Sequence, residues 1–297
     1  MMAIASEQQT VDLREPSGWR RTKNQLATVG MWIAFVVMLV PLGFVLFTVI
    51  SKGASAISWQ FLTGSIPVNV LPVTYGGVGP AVYGTLVITG FASLMAIPLG
   101  ILGGIYINEY GGNHLLARVI NFFADVMTGV PSIIMGLFIF TIWVLHFGYS
   151  GLAGSFALAC LMLPIVIRST YEMLRLVPNS LREASYALGA TKARVTLTVT
   201  LPAAIGGIVS GALLAVARAA GETAPLVFTI LVTQTINKNL FSGPNTALST
   251  LIFQNATQPY TGAQARAWGS ALTLIAIAFI LMIVARLVTA RFARYDH

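Results

Sequence analysis

The chain has 297 residues, of which 56% are hydrophobic and 9% are charged, with a formal net charge of +8. A soluble domain carries about 25% charged residues, so this chain has too few charges to coat a water-facing surface and reads as an all-α, polytopic membrane protein. Most of its 17 Lys and Arg residues fall in the gaps between apolar segments, which excludes a compact nucleic-acid-binding module; the single cysteine, Cys160, excludes an internal disulfide, and His114, His146 and His297 lack metal-ligand spacing.

Residues 1–26 form an N-terminal segment, and its first 20 residues are polar enough to stay unfolded. A membrane helix needs about 20 mostly apolar residues. Six stretches qualify: 27–50, 79–107, 119–147, 150–168, 205–233 and 268–288. The first precedes Ala54-Ser55-Ala56, which looks like a cleavage site. Its apolar run nevertheless exceeds the roughly 7–15 residues of a signal core, so it is read as an uncleaved span. The second, third and fifth contain Pro98, Pro131 and Pro225. Such breakers are tolerated where neighbouring helices or a cavity satisfy the freed backbone, so bends are expected there. The connections 51–78 and 234–267 carry Pro67, Pro72, Pro244 and Pro259 and read as irregular loops. Gly76-Gly77-Val78-Gly79 lacks the Lys-Ser/Thr that follows a phosphate-cradling loop.

Lys and Arg set the orientation. With the N-terminus inside, the cytoplasmic parts hold thirteen: Arg14, Arg20, Arg21, Lys23, Arg118, Arg168, Arg175, Arg182, Lys192, Arg194, Arg286, Arg291 and Arg294. The other side holds three, Lys52, Lys238 and Arg266, and Arg218 is left within the fifth span. Both termini are therefore expected in the cytoplasm, with a short tail at 291–297. Trp19, Trp32, Trp59, Trp143 and Trp268 mostly fall near span ends, as anchoring aromatics do.

The loop 169–204 lies between the fourth and fifth spans. Ser180-Leu181-Arg182-Glu183 has the pattern of a capping box. A short helix with Leu181, Ala184, Tyr186 and Leu188 on it should follow, ended by Gly189 in a left-handed conformation. Thr191 is placed to cap a second helix running to Leu201-Pro202, where the fifth span should begin. Glu183-Ala184, then Gly189, then Leu201-Pro202 resembles the "EAA…G…LP" signature of bacterial ATP-binding-cassette importer permeases, with Ser185 in place of the third small residue. In that family this loop docks into a separate cytoplasmic ATPase, which makes Glu172, Glu183, Ala184, Ser185 and Gly189 the coupling candidates. No G-x-x-x-x-G-K-S/T occurs in the chain, so ATP and Mg are expected on a partner and no cofactor here.

Arg218 and Glu222 stand in "AVARAAGETAPLVF", an otherwise apolar stretch. An Arg at a membrane helix centre costs about 2.5–3.5 kcal/mol on insertion scales. Spaced i and i+4, the two side chains share a face and can pair, but pairing does not repay the desolvation of both. Stability therefore explains them poorly, whereas a route for a polar anion explains them well. The guanidinium fork suits phosphate or carboxylate oxygens, Gly221 and Pro225 would let the helix open beside it, and Gly221 and Thr223 are path candidates with the pair. Asp125 and Arg168 are weaker path candidates. Asp125 is expected to neutralise a helix N-terminus or pair with an Arg, Arg168 to anchor the end of the fourth span, and Glu109 to be an interfacial stop.

"ARAAGETAPLVFT" looks like the A-R-x-x-G-E-T-A-P-L segment of PstA-type permeases of the phosphate transporter, as do "IPLGILGGIYINEYG", "VPSIIMGLF" and "LPIVIRSTYEMLRLVPNSLREASYALGATK". The related PstC-type subunit carries a similar segment. The resemblance implies a six-helix permease domain at 27–290, paired with a homologous PstC-type permease. It also implies two copies of a PstB-type ATPase and an extracytoplasmic PstS-type phosphate-binding protein, in the bacterial inner membrane. A proton-coupled transporter using Glu222 and Asp125, or an importer of another oxyanion such as sulfate or molybdate, stay open on the residues alone.

Overall fold

The computed structural model describes residues 18–67 and 76–292, and every regular element among them is helical. Arg14, the loop position Pro72 and the tail position Arg294 lie outside the described residues; of the N-terminal stretch expected to stay unfolded, residues 18–20 are instead helical. The chain divides into two compact units, 1–48 and 49–297.

The first unit is the body of one helix, α1 (Gly18–Gly53), with Pro41 inside it. It starts well before position 27 because the polar stretch 18–26 continues the helix. There Thr22 and Thr28 satisfy their hydroxyls internally, each donating to the carbonyl four residues back.

In the second unit, a 3-10 turn (Ala54–Ala56) and α2 (Trp59–Thr63) lead to the long α3 (Gly79–Ile105), whose end is a π-helical turn, Tyr106–Tyr110. Then come α4 (Leu115–Gly129), α5 (Ser132–Ile139), a π turn at Phe140–Val144 and the short α6 (Leu145–Phe147). The bend expected within 119–147 is present: α4 and α5–α6 are bent by 109°. Pro131 is the cause. It disfavours the helical region for the residue before it, and Val130 is extended (φ −77°, ψ 128°).

The fourth and fifth spans are also displaced from their expected limits. α7 (Gly151–Arg175) continues past 168. After α8 (Asn179–Ala187), α9 (Lys192–Val195) passes through a π turn at Thr196–Thr200 directly into α10 (Leu201–Gly221). Pro202 therefore does not start the helix. The threonine hydroxyls bond back within the turn, Thr196 to Lys192 O (2.9 Å) and Thr200 to Val195 O (3.1 Å), and the shifted hydrogen-bond pattern of a π turn absorbs the missing proline N–H. The chain closes with α11 (Ala224–Thr229), α12 (Leu248–Ala256) and α13 (Thr261–Phe292). Among the described residues five helices are long and apolar enough to cross a membrane, and the bent α4–α6 pair makes a sixth crossing when counted as one.

The frame is α3 against α7. Membrane helices approach closely where small residues line the seam. A Cβ at Gly100 would lie 2.6 Å from Val166 Cβ, and one at Gly104 would lie 2.5 Å from Thr170 Cβ. Ser155 ties the pair by donating to Ile88 O (3.0 Å). α10 packs on the same helix through Gly207 beside Met173 and Gly211 beside Ser169. Around these contacts Ile88, Leu158, Met162, Val166, Ala212 and Leu226 form the main apolar core. We expect Gly104→Val to destabilise the protein by about 1–3 kcal/mol, the usual cost of overpacking. Gly90→Val, where nothing lies within 4 Å of the added carbon, should be nearly neutral. Thermal unfolding in detergent checks the contrast.

The segment between α11 and α12 is irregular but pinned. Thr233 N donates to Thr246 Oγ1 (2.7 Å), and Leu248 N donates to Thr85 Oγ1 (2.8 Å). Arg266, read from the sequence as a loop charge, instead lies buried in α13 with its Nη1 3.3 Å from Asn255 Oδ1. The helix starts at Thr261 rather than 268 and draws that arginine inside.

Candidate functional site

Arg218 lies in the last turn of α10, not at the middle of a span. The helix expected to run to 233 stops at Gly221. Glu222 is extended (φ −70°, ψ 131°), and Pro225, which has no N–H to continue a ladder, occupies the first turn of α11. The pair forms across the end of the helix: Arg218 Nε is 3.4 Å from Glu222 Oε1. The two ends differ in environment. The Arg218 side chain is 66% exposed on this chain and that of Glu222 is 19% exposed. A cation in the last turn is also favoured by the helix dipole. The site is thus a guanidinium presented outward beside a helix break, tethered to a half-buried carboxylate.

Three elements hold the break. Ser249 of α12 donates its hydroxyl to the Glu222 carbonyl (2.9 Å), satisfying a backbone group the interrupted helix leaves open. α11 packs on α5 and α7, and at Gly136 a Cβ would lie 2.5 Å from Pro225 Cα, so α5 and α11 touch backbone to backbone. Thr223 and Gly221 lie at the break, with Gly221 exposed and open space around it. Ser249 and Gly136 were not legible as site residues, because a lone serine and a lone glycine in apolar segments carry no pattern.

Asp125 and Arg168 are brought together as an ion pair between α4 and α7. Of the two alternatives expected for Asp125, pairing with an Arg is the one found, and the placement of Arg168 changes. Asp125 is near the C-terminal end of α4, where the dipole disfavours an anion, so its partner is the arginine rather than the helix terminus. Arg168 is inside α7 instead of at its end.

The second cluster is the loop between α7 and α9. Gly189 has φ +80°, the left-handed conformation expected of it, and it turns the chain from α8 toward α9. The expected capping box is absent. Pro178 is the residue before the helix, α8 starts at Asn179, and Ser180 falls inside the first turn with no capping bond made. Thr191 likewise precedes α9 without a side-chain cap. Glu183, Ala184 and Gly189 are exposed, as is Glu172 on α7, and Ser185 is half-buried with its hydroxyl bonded to Leu181 O (2.8 Å).

What holds α8 in place is Arg182. Its Nη1 donates to Val177 O (2.6 Å), just beyond α7, and its Nη2 to Leu174 O (2.8 Å), in the last turn of α7. Nη2 also reaches Glu109 Oε1 at 3.0 Å. Glu109, read from the sequence as an interfacial stop, is therefore a buried partner in the π turn that ends α3. The π turn places a carboxylate inward where a plain helical reading leaves it at the surface. Lys192 Nζ sits 5.1 Å over the Tyr110 ring beside it.

Residues 96–294 match the model of the family described as "Binding-protein-dependent transport system inner membrane component". Curated relatives include phosphate transport system permease protein PstA 1 of Mycobacterium tuberculosis (strain CDC 1551 / Oshkosh), 43% identical over 91% of this chain and 89% of its own length. PstA of Yersinia pestis is 41% identical over 94% of each chain. Among solved structures, a chain of a bacterial alginate ABC transporter in complex with a pentasaccharide-bound periplasmic protein superposes with TM-score 0.63 at 13% identity, covering 93% of this chain and 98% of its own. A chain of the MetNI methionine ABC transporter gives 0.58 at 19%, covering 73% and 94%. At those identities the structural matches speak for the fold, and the family match spans most of the chain: this protein belongs to the inner-membrane components of binding-protein-dependent transport systems.

Proposed function

We propose that this chain is the permease subunit of an ATP-driven phosphate importer and forms one half of its translocation path. The observation that carries the reading is the Arg218–Glu222 pair at the break between α10 and α11. Its support is the extended likeness to PstA proteins, named for phosphate transport. In the empty path Glu222 balances Arg218; an arriving phosphate takes over the guanidinium fork, and the carboxylate yields. Gly221 and Pro225 let the helix open at that point, and Thr223 lies beside the pair along the path. Asp125 and Arg168, already paired with each other, act as a brace between α4 and α7.

The complete machine in this reading adds a PstC-type permease, two PstB-type ATPases holding ATP and Mg, and a PstS-type binding protein. The chain itself is non-catalytic. Its termini face the cytoplasm, as the distribution of Lys and Arg favours, and α8 with Glu183, Ala184, Ser185 and Gly189 is the surface on which an ATPase docks, with Glu172 beside it. Discrimination among oxyanions falls mainly to the binding protein, since one arginine recognises tetrahedral anions generically. A proton-coupled reading has no observation in its favour.

The test is purification of the chain from phosphate-starved cells in mild detergent. An ATPase and a second permease should co-purify, and ATP hydrolysis in proteoliposomes should rise on adding the phosphate-loaded binding protein. Hydrolysis that responds equally to sulfate-loaded or molybdate-loaded partners, or uptake abolished by an uncoupler while ATP stays high, would contradict it.

A further inference from the structure

Helix α8 has no fully buried residue, and its apolar side chains Leu181 and Tyr186, with Leu188 just beyond its end, are exposed. Apolar packing therefore contributes little to its position. Its firm attachments come from one side chain. Arg182 is only 13% exposed, and it bonds at once to carbonyls in the last turn of α7 and just beyond it and to Glu109, which is 4% exposed at the end of α3. α3 and α7 are the two helices that form the frame of the molecule, locked through Gly100 and Gly104. Arg182 also directly precedes Glu183 in the sequence.

We propose that Glu109 and Arg182 are positioning residues that link α8 to the α3–α7 frame, so that a displacement of α8 reaches the spans through this ion pair. The proposal rests on reading α8 as the docking helix for an ATPase. Physically, the pair suits the task better than an apolar contact. An apolar seam can slide, whereas a charge-assisted, multiply bonded guanidinium fixes both distance and direction. A buried pair adds little net stability, and its directional hold is what this position gains. Asn108, whose amide donates to the same Glu109 oxygen (2.8 Å), steadies the carboxylate.

Glu109→Gln keeps the shape and removes the charge. In the full-length wild-type and variant permeases in lipid nanodiscs, amide exchange at 179–187 should accelerate by at least about tenfold in the variant, the scale of one lost charge-assisted hydrogen bond. Exchange in α7 should stay unchanged. Unaltered protection of α8 overturns the link, and this arm needs no ATPase. In the assembled transporter, Glu109→Gln should retain the ATPase at wild-type stoichiometry yet lower phosphate imported per ATP hydrolysed by about tenfold. Arg182→Gln, which also loses the bonds to the Val177 and Leu174 carbonyls, should lower it at least as much, and the double variant should be no worse than Arg182→Gln alone, because the pair acts as a unit. Multiplicative losses, or loss of the ATPase on pull-down from Glu109→Gln, overturn it. If the wild-type chain captures no ATPase, the docking reading fails instead, and the exchange arm still decides whether the pair holds α8.

Discussion

Replacing Arg218 with Gln is expected to lower phosphate uptake by about one to two orders of magnitude, the range spanned by loss of a hydrogen bond to a charged group, with the transporter still assembled. The variant keeps a neutral donor at the position of Nε and removes both the charge and the terminal fork. Arg218 is largely exposed on this chain and its one bonded partner among the described contacts is Glu222 at 3.4 Å, so folding depends little on it. Arg218→Lys should fall between the two, because an ammonium keeps the charge but loses the planar fork. Uptake of labelled phosphate by starved cells, normalised to membrane-inserted protein, measures the series. Wild-type uptake by Arg218→Gln would reduce the pair to a tether across a helix end.

Breaking the corner at Gly189 is expected to separate ATP hydrolysis from transport. Its φ of +80° is one that a side chain with a Cβ disfavours by roughly 1–2 kcal/mol, and open space around it means that the strain is purely in the backbone. Gly189→Ala should therefore reorient α8 relative to α9 without disturbing the core. Gly189→Asn should recover most of the function, since Asn visits this conformation readily. Glu183→Lys tests the same surface through charge, because its side chain is exposed and reversal would oppose any basic partner group. For Gly189→Ala and Glu183→Lys we expect ATP hydrolysis that no longer rises with the phosphate-loaded binding protein, while capture of phosphate by that protein is intact. Stimulated hydrolysis at wild-type levels in both would show that docking lies elsewhere.

The sequence disclosed the architecture because apolar length, charge gaps and proline are strong one-dimensional signals. Pro131 and Pro225 mark the two interruptions, and Gly189 marks the corner. What it concealed were choices made by tertiary contact. The π turns at 106–110 and 196–200 leave no compositional trace, so Glu109 read as a surface stop and Pro202 as a helix start. The apparent capping box at Ser180 gave way to Pro178. Arg218 and Glu222 were legible because charge in a hydrocarbon segment is conspicuous. Ser249, which reaches the Glu222 carbonyl from a separate helix, was not.

The contact at Gly136 and Pro225 has a mechanical corollary. With no side chain between them to act as a cushion, the two interrupted stretches are abutting joints, and a tilt of one is delivered to the other. A movement of α11 beside Arg218 is thereby expected to flex the elbow at Pro131, while the α3–α7 pair serves as the chassis.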